Sequence, residues 1–113
     1  MIECPTGSGN QMTLNQIAVE LGRRMCNLFL PGADGRRPMY GGRELMQRDP
    51  FFRENLLFFE YFNGDTGEGI GANHQTGWTG LVAKLLEQQA VERRAGVPVA
   101  RVEAAVTTVS AQR

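Results

Sequence analysis

The side chain with the clearest chemical potential is Glu60, in the stretch "LLFFEYFNGDTGEG" spanning Leu56–Gly69. Four aromatic or aliphatic residues precede it, two aromatics follow, and then an acidic, glycine-rich turn. An unpaired carboxylate buried among such neighbours is costly and tends to take up a proton. In an extended segment Glu60 shares a face with Phe58 and Phe62, while Phe59 and Tyr61 point the other way. Both faces are therefore aromatic, and turning the charge outward does not restore an ordinary amphipathic strand. Two readings stand side by side. Glu60 is ion-paired, to Arg53 or to an arginine of residues 36–43, or it lines an aromatic-walled pocket. Aromatic faces stack on sugar rings, and glycoside hydrolysis uses a pair of carboxylates.

Other candidates are weaker. "CPTGSGNQMTL" (4–14) has the glycines of a phosphate-binding loop, but Asn10 stands where a lysine is needed, and only Met1–Glu3 precede it where a strand should be. "NGDTGEG" (63–69) offers oxygens at Asn63 and Asp65 but lacks the bidentate glutamate of a calcium loop, so a solvated turn is expected. His74 is the sole histidine, with no second ligand nearby; it reads as a loop residue or as a polar contact near a site. Cys4 and Cys26 lack ligand spacing and read as reduced thiols. No metal and no cofactor is expected.

Two helices must carry whatever site exists. Thr13 and Gln16 have capping-box spacing, and Leu14, Ile17, Ala18, Leu21, Met25, Leu28 and Phe29 recur at helical period until Pro31-Gly32, which predicts a helix over about 13–30. Residues 31–43 are turn chemistry, "RELMQ" a short helical turn, and Asp49-Pro50 a cap with proline at the first helical position. "LLFFEYF" is β-prone and reads as extended; 63–75 reads as a long loop. A second helix is expected over about 76–93, with Trp78, Leu81, Val82, Leu85 and Leu86 on one face. The remainder has no aromatics and no strong period, and reads as a weakly ordered tail.

The 113 residues suffice for one small domain, yet 14 glycines and long loops leave little to build a core. Twelve basic and twelve acidic residues balance, so no bulk charge points to nucleic acid or to a membrane surface. The longest apolar run, Leu56–Phe59, is far too short to span a bilayer, and the N-terminus has no secretory pattern; a cytoplasmic location is expected.

The stretch Leu57–Leu86, "LFFEYFNGDTGEGIGANHQTGWTGLVAKLL", resembles the C-terminal end of the catalytic domain of glycoside hydrolase family 63, the family of mannosyl-oligosaccharide glucosidase and its bacterial relatives. The shared pattern is a glutamate in an aromatic segment, an acidic glycine-rich turn, and Gly77-Trp78-Thr79 opening a helix; "CPTGSGNQMTL" and "GRRPMYGG" also look like bacterial members. The resemblance implies an all-α fold, a C-terminal fragment of an (α/α)6 barrel in which two main amphipathic helices are joined by Gly-rich loops. Residues 1–90 would belong to the barrel and 91–113 to the end of the last helix and the tail. It implies inversion at the anomeric carbon of an α-glucoside or oligosaccharide, with Glu60 as general base. Inversion requires a second carboxyl group roughly 6.5–9.5 Å away. The family's acid, an aspartate, lies upstream of this chain's start, and Asp34, Asp49 and Asp65 fall in the wrong segments to replace it. The chain therefore reads as half of an acid/base pair, its partners a sugar substrate and the missing upstream segment. Trp78, Tyr61, His74 and Tyr40 are the expected substrate contacts, with packing at the start of the last helix the competing role for Trp78. A non-catalytic helical piece that binds carbohydrate or a partner chain is the alternative.

Overall fold

A computed structural model describes residues 1–74 and 77–96. Two strands, β1 (Ile2–Glu3) and β2 (Gln11–Met12), form a hairpin ahead of helix α1 (Leu14–Phe29). After a 3-10 turn at Pro38–Tyr40 come two single-turn helices, α2 (Glu44–Arg48) and α3 (Pro50–Glu54). Strands β3 (Tyr61–Phe62) and β4 (Gly69–Ile70) make a second antiparallel pair, with Tyr61 opposite Ile70 and Phe62 opposite Gly69. A 3-10 turn at Trp78–Leu81 leads into helix α4 (Val82–Arg94).

The all-α expectation, a fragment of an (α/α)6 barrel, is therefore corrected. The described residues hold four α-helices and two two-stranded antiparallel sheets, a mixed arrangement. The physical reason lies in the glycine-rich segments. Their backbone N–H and C=O groups need partners, and they find them in each other rather than in water alone. Strands two residues long leave no alternation for periodicity to detect. Among the described residues no helix is long and apolar enough to cross a membrane.

Local chemistry sets the helix ends. The Gln16 N–H donates to Thr13 Oγ1 at 3.2 Å, and the Thr13 N–H donates to Gln16 Oε1 at 2.8 Å, a complete capping box. Asp49 caps α3 by accepting from the Phe51 N–H at 2.8 Å. The second helix begins at Val82, behind the 3-10 turn; a start at Thr76 lies outside the described residues, as does the tail expected beyond α4.

The core is small and aromatic. Cys26 and Phe29 of α1, Met39 and Tyr40 of the first 3-10 turn, Phe59 and Val82 are its buried members. Phe29 meets Phe58 and Phe62 at ring-centroid distances of 5.9 and 5.7 Å, and Phe59 lies edge-on to Tyr40 and Phe62, each at 6.5 Å. Burying one such ring contributes roughly 1.5–3 kcal/mol, so these few residues carry most of the packing. Helix α1 does not bury its predicted stripe as a whole. Its buried positions are Glu20, Gly22, Cys26 and Phe29, whereas Leu14 and Leu21 are exposed. Helix α4 packs over Gly22, where a Cβ would stand 3.6 Å from Leu85 Cδ2, an ordinary van der Waals contact.

Candidate functional site

Residues 58–74 build one exposed face. The Glu60 N–H donates to the Ala72 carbonyl at 2.8 Å and the Phe58 N–H to the Asn73 carbonyl at 3.3 Å, so the segment bearing Glu60 lies beside the segment bearing His74. Between them the acidic turn closes on itself. Asn63 Oδ1 accepts from the Asp65 and Thr66 N–H groups at 2.9 and 3.0 Å, and the Gly67 N–H donates to the Asn63 carbonyl at 2.8 Å. Asn63 thus spends its side-chain oxygen on the turn, as expected of a solvated turn and not of a cation loop.

Along this segment Phe59 is buried while Glu60 and Tyr61 are exposed and Phe62 is half-buried. Gly69 explains how Phe59 gets in: a Cβ at Gly69 would overlap the Phe59 ring, so the missing side chain is the space the ring occupies. Gly71 plays the corresponding part for Glu60. Its φ is +80°, and a Cβ there would come within 2.7 Å of both Glu60 Oε2 and Tyr61 Cε1. The backbone conformation favours glycine at that position, and the Glu60 carboxylate leans across the space left open.

Glu60 has no cation partner among the described residues. Three of the arginines that could have paired with it are engaged elsewhere, and Arg53 forms no ion pair with it. Arg36 binds Glu44 at 2.7 Å, Arg37 donates to the Phe29 carbonyl, and Arg43 donates to the Gly69 carbonyl at 3.0 Å. Among the described residues the hydrogen bond to the Glu60 carboxylate is a long one, 3.4 Å, from the Ala72 N–H to Oε2, and the residue is exposed. Trp78 holds the Glu60 backbone from the other side, its indole Nε1–H donating to the Glu60 carbonyl at 2.7 Å. The indole also lies edge-on to Phe62 at 6.1 Å and stays 53% exposed. Trp78 therefore packs and presents a surface at once. Tyr61 is 51% exposed.

The structure thus brings Glu60 and Tyr61 together across Gly71, ties Trp78 to the Glu60 backbone, and pairs the segment before Glu60, at Phe58, with His74. Tyr40 is not among them. It is wholly buried, its hydroxyl donating to the Phe52 carbonyl at 2.9 Å and its ring edge-on to Phe59. Burial raises its phenol above the ordinary value, against the opposing pull of the Leu57 N–H. Its role in this chain is packing, and the expected sugar contact is withdrawn. The glycine-rich 4–10 loop is spent internally as well: the Gly9 N–H donates to Glu3 Oε1 at 2.7 Å and the Asn10 N–H to Ser8 Oγ at 3.2 Å.

The carboxylate that does sit in a buried, charge-paired setting is Glu20, which the sequence analysis passed over. It is 3% exposed, accepts from Arg23 Nε and Nη2 at 2.8 and 2.7 Å, and accepts from Arg24 Nε at 2.7 Å. The Arg23 hydrogen bonds hold its carboxyl below the usual range, against the cost of burial. Its i, i+3 and i, i+4 spacing to two arginines was the available signal. A groove of about 570 Å³ between α1 and α4, lined by Ala18, Val19, Gly22, Leu85, Gln88 and Val91 among others, contains none of Glu60, Tyr61, His74 and Trp78.

No family model matches the chain, and no solved structure matches it. It is similar to Uncharacterized protein YMR196W of Saccharomyces cerevisiae, 51% identical over 87 residues, a match covering 75% of this chain. The same match covers 8% of the yeast protein, so the chain spans a small part of the length of this curated relative.

Proposed function

We propose that this chain is the general-base portion of an inverting α-glycosidase resembling glycoside hydrolase family 63, with an α-glucoside or α-linked oligosaccharide as substrate. The observation that carries the reading is the state of Glu60: exposed, without a cation partner among the described residues, and held at its backbone by Trp78 with Tyr61 alongside. A general base needs a carboxylate whose lone pairs are free for a water proton and whose position is fixed. Glu60 accepts a proton from the water that attacks the anomeric carbon, while Trp78 and Tyr61 offer ring surface to the sugar. His74 adds a polar contact.

The acid comes from polypeptide outside this chain, as does the opposite wall of the cleft. The free thiols Cys4 and Cys26 support a cytoplasmic setting. A second reading, a non-catalytic piece that contributes binding surface to a partner, is favoured by one fact: the face is open, and the α1/α4 groove does not include it.

The test is turnover of aryl α-glucosides and α-linked disaccharides by the chain joined to the rest of such a protein, with the anomer of the first product followed by NMR. Inverted product, and loss of about 10²–10⁴-fold in kcat for Glu60→Gln, is the expected result. Retained configuration, or full activity in Glu60→Gln, overturns the proposal. The chain alone is expected to give no turnover.

A further inference from the structure

We propose that Arg43 is a positioning residue for Glu60, a single guanidinium that fixes the stretch of backbone from which the carboxylate projects. Its part in turnover rests on the reading of Glu60 as general base; its grip on the backbone does not. Arg43 starts from a fixed point. Its N–H donates to the carbonyl of the buried Tyr40 at 3.0 Å, and its carbonyl accepts from the Gln47 N–H at 3.1 Å. From there the side chain crosses to a distant part of the sequence. Nη2 donates to the Gly69 carbonyl at 3.0 Å, Nη1 lies 3.2 Å from Glu68 Oε1, and the guanidinium carbon stands 5.3 Å from the centre of the Phe59 ring.

These contacts converge on Glu60. Phe59 precedes it in the chain, and the Phe59 ring, buried against Gly69, sets where Glu60 begins. Gly69 pairs with Phe62 and leads, past Ile70, to Gly71, across which the Glu60 carboxylate lies. The Ala72 carbonyl then takes the Glu60 N–H at 2.8 Å, and the Trp78 indole takes the Glu60 carbonyl at 2.7 Å. The Glu60 backbone is therefore bonded at both of its polar groups. Arg43 holds together the two segments, 59–62 and 69–72, between which the first of those bonds forms.

Stability alone is a poor account of this arginine. Its Nη1 is buried without a hydrogen bond, which is unfavourable. A lysine would keep the charge, but its one nitrogen cannot serve the Gly69 carbonyl and Glu68 while lying over the Phe59 ring. What the planar fork adds is geometry, with two nitrogens and a flat face each fixing a different group. Geometry is what a base needs, since a misplacement of about 1 Å can cost on the order of 10²-fold in rate.

The experiment uses the chain joined to the rest of such a glycosidase. Arg43→Lys is expected to lower kcat about 10–100-fold while KM stays within about twofold of the parent. Arg48→Lys, at an exposed arginine of α2, leaves both constants unchanged. In the same protein, hydrogen exchange read by mass spectrometry is expected to quicken about tenfold across residues 57–62 in Arg43→Lys, with the α1 amides unchanged. Parent exchange across 57–62 in that variant overturns the proposal, whatever the kinetics. So does an equal loss of protection in α1, which would make Arg43 a general stabiliser, and so does a rise in KM at the parent kcat. If Glu60→Gln is fully active while Arg43→Lys still quickens exchange across 57–62, the base assignment falls and the hold of Arg43 on the Glu60 backbone stands.

Discussion

Glu20 and Glu60 are handled in opposite ways by the same small fold. Glu20 lies on a regular helix between Val19 and Leu21, and it is nearly inaccessible and gripped by two guanidinium groups. Glu60 lies between phenylalanines and a tyrosine in sequence, yet it stands in solvent with one long N–H contact. Sequence neighbours say which residues are near along the chain; burial depends on what the rest of the fold lays over them. The first carboxylate stabilises a helix. The second is left available, which is what a base requires.

The largest expected separation between the two is in catalysis. In the joined enzyme, Glu60→Gln lowers kcat by about 10²–10⁴-fold while Glu20→Gln leaves kcat near the parent value at temperatures where both are folded. Equal losses would erase the distinction. Next is stability. Glu20→Gln removes charge-assisted bonds to two arginines and is expected to cost about 1–3 kcal/mol by urea denaturation, whereas Glu60→Gln stays within about 0.5 kcal/mol.

Acid titration sharpens the same contrast. The Glu20 carboxyl is held below its ordinary value of about 4.3. Its stabilisation is therefore complete above that pH and is lost as pH falls through the folded-state value. The stability gap between the parent and Glu20→Gln should narrow below about pH 4, measured by denaturation at a series of pH values. A gap that stays constant there would mean that packing, not charge, accounts for it. The smallest effect concerns Trp78→Phe. It keeps a ring against Phe62 and removes the donor to the Glu60 carbonyl, for an expected loss of about 0.5–1.5 kcal/mol. A change smaller than the measurement error would show that the bond is not holding the segment.

Local signals were legible where one or two residues decide the outcome. The Thr13–Gln16 box, the Pro31 stop and the Asp49-Pro50 start each appear where their chemistry predicts. Within 58–74, the extended character of "FFEYF" was readable from β-prone residues, but its pairing with 69–74 was not, because the pairing partners are glycines and small residues with no pattern of their own. The stripe of α1 was readable as a period, but not which line of the helix α4 would cover. The contact is made at Gly22, which carries no apolar signal, with Leu85 over it at van der Waals distance. Of the candidate site, Glu60 and Trp78 are neighbours because the indole donates to the Glu60 carbonyl, and the His74 segment lies alongside because backbone bonds join 60 to 72 and 58 to 73. Tyr40 was drawn to the site by its glycine-rich neighbours, and the core claimed it.

Arg43 ties the two glycine-rich regions together. It donates to the Gly69 carbonyl, lies 3.2 Å from Glu68 in an ion pair without hydrogen-bond geometry, and rests 5.3 Å from the Phe59 ring centre. The acidic turn and the loop before α2 are thereby clamped into a single plate with a phenylalanine as its hinge pin. Whatever reaches the indole meets a surface that three separate contacts of one arginine hold against the aromatic core.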